Sequence, residues 1–171
     1  MLGLSLFSCY ASASQSAIRS SFVDGVPADT FELTNDSSCD FGASSLLLDL
    51  SGSNGGLYFD VSAAGAGIAV YQPLIFKSGQ EYLAEIPALQ DGDNILVLEL
   101  TAFNAGASIR FTTDLDDTKG PVSKVVSDSE ITGARIQLHS ASGRISAAFD
   151  DSSTATIPIT ACEVVVTYPN S

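Results

Sequence analysis

"NILVLELTAF", residues 94–103, decides the fold. Ile95, Val97 and Glu99 alternate with Leu96, Leu98 and Leu100. That period of two places one set on a fully buried face of a strand and the other on a partly buried one. Short runs of the same kind recur on both sides, among them "AIRSSFVDG", "DTFELTND", "SSLLLDLSG", "GLYFDVS", "GIAVYQP" and "LIFKSG" before it. After it come "ASIRFTTDL", "ARIQLHSASG", "RISAAFD", "ATIPITA" and "EVVVTYP". Asp-Gly, Ser-Gly, Asn-Gly-Gly and Asn-Ala-Gly separate many of them and supply turns with positive φ at little steric cost. A convincing helical stripe is missing from the chain after its first residues. The reading is all-β: an antiparallel β-sandwich, immunoglobulin-like or jelly-roll-like, of about 7–10 strands.

At 171 residues the chain suits one domain with a full core. Its formal net charge is −13, with seven Lys and Arg against twenty Asp and Glu. A nucleic-acid binder must neutralise phosphates, so this balance excludes that class, and it disfavours anionic membrane surfaces as well. Divalent cations and basic proteins are what such a surface attracts. A transmembrane segment is not expected, because no later run approaches the roughly 20 apolar residues that one requires.

The first residues, "MLGLSLFSCYASASQS", carry an apolar stretch from Leu2 to Tyr10 followed by Ala11-Ser12-Ala13, a small-x-small site for signal peptidase. Residues 1–13 therefore read as a signal peptide, though one without a basic start; the competing reading is a buried first strand. Cys9 follows "LFS" as a lipid-accepting cysteine would, but the bulky Phe7 opposes a lipid anchor there. Residues 14–171 form the expected domain, with 163–171 as a C-terminal extension. If Cys9 leaves with the signal, Cys39 and Cys162 remain as an even pair in an oxidising compartment and are expected to form a disulfide. Closing so long a loop stabilises by roughly 4–5 kcal/mol in the chain-entropy account. Export to the cell surface, the extracellular space or the periplasm follows from the same reading.

"FTTDLDDTKG", residues 111–120, is where chemistry concentrates. If Phe111, Thr113 and Leu115 share one face, Asp114 and Asp116 share the other, with Asp117 at the turn. Like charges two residues apart on a strand repel unless a cation or solvent intervenes. A second acidic turn, "DGDN", brings Asp91 and Asp93 and could lie at the same end of the sandwich. Calcium takes six to eight oxygen ligands, and Asp114, Asp116, Asp117, Asp91 and Asp93 are the candidates to supply them. Solvated hairpin turns are the bland alternative for all five. The single histidine, His139, has Ser140 beside it, but there is no G-x-S-x-G elbow, and a surface histidine is the expectation. Asn35-Asp36-Ser37 fits the N-glycosylation triplet, which is common by chance. Most aromatic residues fall on core-like alternating positions; Tyr58, Tyr71 and Tyr82 are the exceptions that a carbohydrate-binding module would use. An enzyme is not expected.

Six segments, "FVDGVPADTFELTND", "LLLDLSGSNGGLYFD", "GAGIAVYQP", "DGDNILVLEL", "ASIRFTTDLDDT" and "SEITGARI", resemble in order and spacing the small exported bacterial aggregation factor core proteins. That family is named for its similarity to the core of the sponge aggregation factor, which mediates calcium-dependent adhesion. The resemblance covers roughly residues 18 to 162. It implies a secreted β-sandwich whose acidic turn here is Asp114-Leu115-Asp116-Asp117-Thr118 and whose paired cysteines are Cys39 and Cys162. No catalytic residues come with it. The expectation is an exported, noncatalytic protein of adhesion, aggregation or matrix assembly, with calcium as a stabiliser. Its partner would be an extracellular protein, a polysaccharide or another copy. Two alternatives stand beside it: a structural subunit that polymerises by strand addition through an apolar terminus, and the carbohydrate-binding module.

Overall fold

The computed structural model describes residues 16–63, 71–119, 126–141 and 143–162. The strands are β1 (Ala17–Val23), β2 (Asp29–Asn35), β3 (Ser44–Asp49), β4 (Tyr58–Phe59), β5 (Ile75–Ser78), β6 (Ile95–Leu100), β7 (Ser108–Thr113), β8 (Leu115–Asp116), β9 (Arg135–Ser140), β10 (Gly143–Ala148) and β11 (Thr154–Pro158). One sheet has the order β11-β1-β2-β7-β5, a second β10-β9-β3-β6, and β4 and β8 form a two-stranded ribbon. Every pairing is antiparallel. The all-β expectation holds, and the two larger sheets together hold nine strands.

The core explains the pairing. Ile18, Phe31, Leu33, Ile109, Phe111 and Ile157 from the five-stranded sheet meet Leu46, Leu48, Leu96, Leu98, Ile136 and Leu138 from the four-stranded one in a single apolar cluster. Within the first sheet a row of phenylalanines runs across four strands, because Phe22 faces Phe31, Phe31 faces Phe111, and Phe111 faces Phe76 in register. Their ring centroids lie 5.0, 5.3 and 5.7 Å apart. Phe149, from the connection between β10 and β11, meets Phe31 edge-on at 6.4 Å. Each such ring stabilises by roughly 2–3 kcal/mol through burial, plus up to about 1 kcal/mol from ring contact.

Residues 94–103 behave as their pattern requires on one face: Leu96, Leu98 and Leu100 are buried. The other face differs from expectation. Ile95 and Val97 are exposed on the outward face of β6, the last strand of its sheet, whose far end is bridged by Leu83 to Leu100.

The end of the sandwich where β2 finishes is closed covalently. Cys39 and Cys162 form a disulfide across 123 residues, with Cα atoms 5.0 Å apart. Asn35, the last residue of β2, organises the loop that carries Cys39. Its Nδ2 donates to the carbonyls of Cys39 and Phe103, both at 2.8 Å, and its Oδ1 accepts from the Ser37 N–H at 3.1 Å. Asn35 is fully buried and its amide nitrogen engaged, so this triplet is not a glycosylation acceptor in the folded chain. Among the described residues no helix is long and apolar enough to cross a membrane. The signal peptide, Cys9, the run at residues 67–70 and the 163–171 extension lie outside the described residues.

Candidate functional site

The opposite end of β2 begins the acidic site. Asp29, its first residue, pairs with Thr113, the last residue of β7. Beyond Thr113, β7 has run out of partner in that sheet, and the chain turns to pair with β4 instead, with Leu115 against Phe59 and Asp116 against Tyr58. Asp114 sits at the switch, not within a strand as the alternation suggested. Three backbones meet there in a ring: Asp60 N–H donates to the Asp114 carbonyl at 3.0 Å, Gln72 N–H to the Asp60 carbonyl at 3.2 Å, and Asp114 N–H to the Gln72 carbonyl at 3.3 Å.

That ring brings carboxyl groups from separate segments together in a poorly solvated place. Asp29, Asp60 and Asp116 are buried and Asp114 is half-buried. Burial, with the Asp116 and Asp60 charges adding, pushes the Asp114 carboxyl up to about 7. Burial also lifts Asp29 to about 7, reinforced by Asp114 and Asp24, against the opposing pull of the Gly25 and Leu115 N–H groups. Asp60 rises to about 6 through burial, the charges of Asp116 and Asp91, and a hydrogen bond shared with the Asp116 side chain. A hydrogen bond between two carboxyl groups requires a proton on one of them. The Tyr58 hydroxyl lies 3.4 Å from Asp116 Oδ2, and burial followed by the Asp116 charge holds the phenol above its usual value. Two buried oxygens at this end, Asp60 Oδ1 and Thr113 Oγ1, have no hydrogen-bond partner.

The five acids singled out in the sequence thus separate. Asp114 and Asp116 are central. Asp91 lies beside Asp60, where its Oδ1 accepts from the Val61 and Ser62 N–H groups, each at 2.7 Å. Asp93 is turned to its own loop and accepts from the Gln90 N–H at 2.9 Å. Asp117 acts on the Tyr58 phenol. The sequence reading missed Asp29 and Asp60. For Asp29 a signal existed, since alternation puts it on the inward face with Phe31, Leu33 and Asn35. For Asp60 none did, because its burial depends on the ribbon pairing of β4 and β8.

All-oxygen donors are the kind that a hard cation such as calcium takes, and Asp60 Oδ1 has no hydrogen-bond partner. Among the described residues no three such side chains are gathered closely enough to hold a metal ion. Elsewhere, His139 lies on the outer face of β9, with Nε2 3.2 Å from Gln137 Oε1. Tyr71 is exposed, Tyr82 packs edge-on against Phe103, and Tyr58 lines a surface groove. In comparisons with known proteins, no family model, curated protein or solved structure matches the chain.

Proposed function

We propose that the chain is an exported, noncatalytic β-sandwich protein of the aggregation factor core kind, which contributes to extracellular adhesion, aggregation or matrix assembly and is stabilised by calcium. The disulfide supports an oxidising destination, and the strongly acidic surface supports cation-dependent association. One observation carries the calcium part: Asp29, Asp60 and Asp114 lie at one end of the sandwich beside Asp116, buried or half-buried, with their own carboxyls raised toward neutrality. When those protons leave, repulsion between the carboxylates is what a divalent cation would relieve.

The test is thermal melting with EGTA and with millimolar calcium at about pH 8 and about pH 5, run beside aggregation of protein-coated beads. Calcium at a hundred times its dissociation constant adds about 2.7 kcal/mol, a rise of about 5–10 °C at this chain length. That rise is expected at the higher pH and not at the lower, where protons occupy the same oxygens. Absence of a shift at either pH, with beads that stay dispersed in calcium, refutes the reading.

Assembly by strand addition is favoured by a different observation, the edge strand β6 with its exposed Ile95 and Val97. Light scattering of Val97→Lys against the parent chain tests it: a parent that forms larger species and a variant that does not would establish β6 as the acceptor.

A further inference from the structure

We infer that the groove beside Tyr58 is a saccharide-binding site that takes a neutral hexose chain. The inference names a partner for the adhesion reading and rests on that reading only for its biological setting. The groove holds about 480 Å³ and is lined by Leu57, Tyr58, Asn94, Thr118 and Lys119, with Gly56 and Gly92 in its walls. That volume falls within the roughly 300–1,000 Å³ of small-molecule sites, and the lining has their usual make-up of an apolar floor with a few convergent polar groups.

The residues have separable roles. Tyr58 supplies the ring that lines the groove and would stack on the C–H face of a sugar, while its hydroxyl is turned away to Asp116 Oδ2 at 3.4 Å. Asn94 and Lys119 are exposed, and among the described residues neither side chain has a hydrogen bond or ion pair, so an amide and an ammonium face the groove for sugar hydroxyls. The wall that presents Lys119 is strapped in place. Thr118 and Lys119 both donate their N–H to the Gly55 carbonyl at 3.1 Å, and Thr118 Oγ1 donates to the Gly56 carbonyl at 2.9 Å. Gly56, at φ 64°, has no room for a side chain, because a Cβ there would collide with Thr118 Oγ1. Gly92, at φ 84°, is the reverse: a Cβ on it would point into open space. One wall is therefore packed and preformed, and the other is open to a ligand.

Charge selects among saccharides. Asp116 lies directly behind Tyr58, Asp60 lies beyond it, and the chain as a whole carries −13. A single ammonium does not offset that field, so uronates and sulfated sugars are repelled and a neutral chain is accepted.

Calorimetric titration of the full chain with cello-, laminari- and mannohexaose, and with a hexauronate as the charged control, tests the site. At least one neutral hexasaccharide is expected to bind with a dissociation constant at or below about 1 mM. Asn94→Ala and Lys119→Met should each weaken it roughly tenfold, equivalent to about 1.4 kcal/mol. Tyr58→Phe, which keeps the ring, should stay within about threefold of the parent. Gly92→Asn keeps a residue that tolerates the left-handed region but fills the groove, and should abolish binding with an unchanged circular dichroism spectrum. Three results overturn the inference: no saturation by any neutral hexasaccharide up to about 10 mM, tighter binding of the hexauronate, or surface variants that bind as the parent does. A calcium-stabilised protein that ignores these sugars refutes the groove alone. A sugar binder indifferent to calcium refutes the calcium reading alone.

Discussion

Asp29 and Asn35 stand at the two ends of β2, both shut off from water, and their surroundings differ in kind. Around Asn35 every polar atom of the side chain has a partner, and the loop it holds is tied by the Cys39–Cys162 disulfide. Around Asp29 the neighbours include other acids, and Thr113 Oγ1, directly across the ladder, is unpartnered. The first end satisfies the polar side chain at its centre. The second retains unsatisfied oxygen and displaced protonation, the state that structural stability by itself does not select.

The largest effect that would sharpen this contrast is loss of the disulfide. Cys39→Ala with Cys162→Ala should lower stability by about 4–5 kcal/mol and the melting temperature by about 10–15 °C, since so long a loop is released in the unfolded chain. A fall under about 1 kcal/mol in denaturant titration would mean that the Asn35 network already fixes that end. Next in size is Asn35→Ala. It leaves the Cys39 and Phe103 carbonyls without their side-chain donor in a buried place and should cost about 3 kcal/mol. It should do so equally at every pH between about 5 and 8, because no titrating group takes part.

Much of the apolar end was legible in the sequence and little of the acidic end was. Strands such as residues 95–100 announce themselves through period-two burial, and the pairing of Cys39 with Cys162 followed from counting cysteines once Cys9 was set aside. The acidic site depends instead on where β7 loses its partner. That point is fixed by the length of β2 across the ladder, and the receiving ribbon of Tyr58–Phe59 with Leu115–Asp116 is too short to leave a pattern. Asp114 therefore read as a strand residue when it marks a crossing between sheets. Asp60, inside the run "GLYFDVS", drew no separate reading, yet it is among the most enclosed acids of the described residues. Local alternation sees which face a residue takes only while the strand continues.

The smallest expected effect is also the one that separates the two ends most directly. Unfolded aspartates titrate near 3.9, whereas Asp29 and Asp114 titrate near 7 and Asp60 near 6 in the folded chain. Folded pKa values above the unfolded ones mean that the native state binds more protons in this window. Their stabilisation is thus complete below about pH 4 and is lost as the pH rises through 6 to 7. Asp150, whose carboxyl is held low by the Ser152 hydroxyl and the Ser152 and Thr154 N–H groups, has the opposite sign, but acts only below that window. In EGTA the melting temperature should therefore fall between about pH 5 and about pH 8. The three acids are coupled, and solvent reaches Asp114, so the combined loss is about 2–3 kcal/mol and not the sum of three separate shifts. Asp60→Asn removes one charge from the cluster while keeping a side chain that can donate to Asp116. It should raise stability by about 1–2 kcal/mol at pH 8, change little at pH 5, and make the slope between them shallower. A parent protein that instead grows more stable with rising pH over this range would show that the acidic end, like the Asn35 end, is fully compensated by its own contacts.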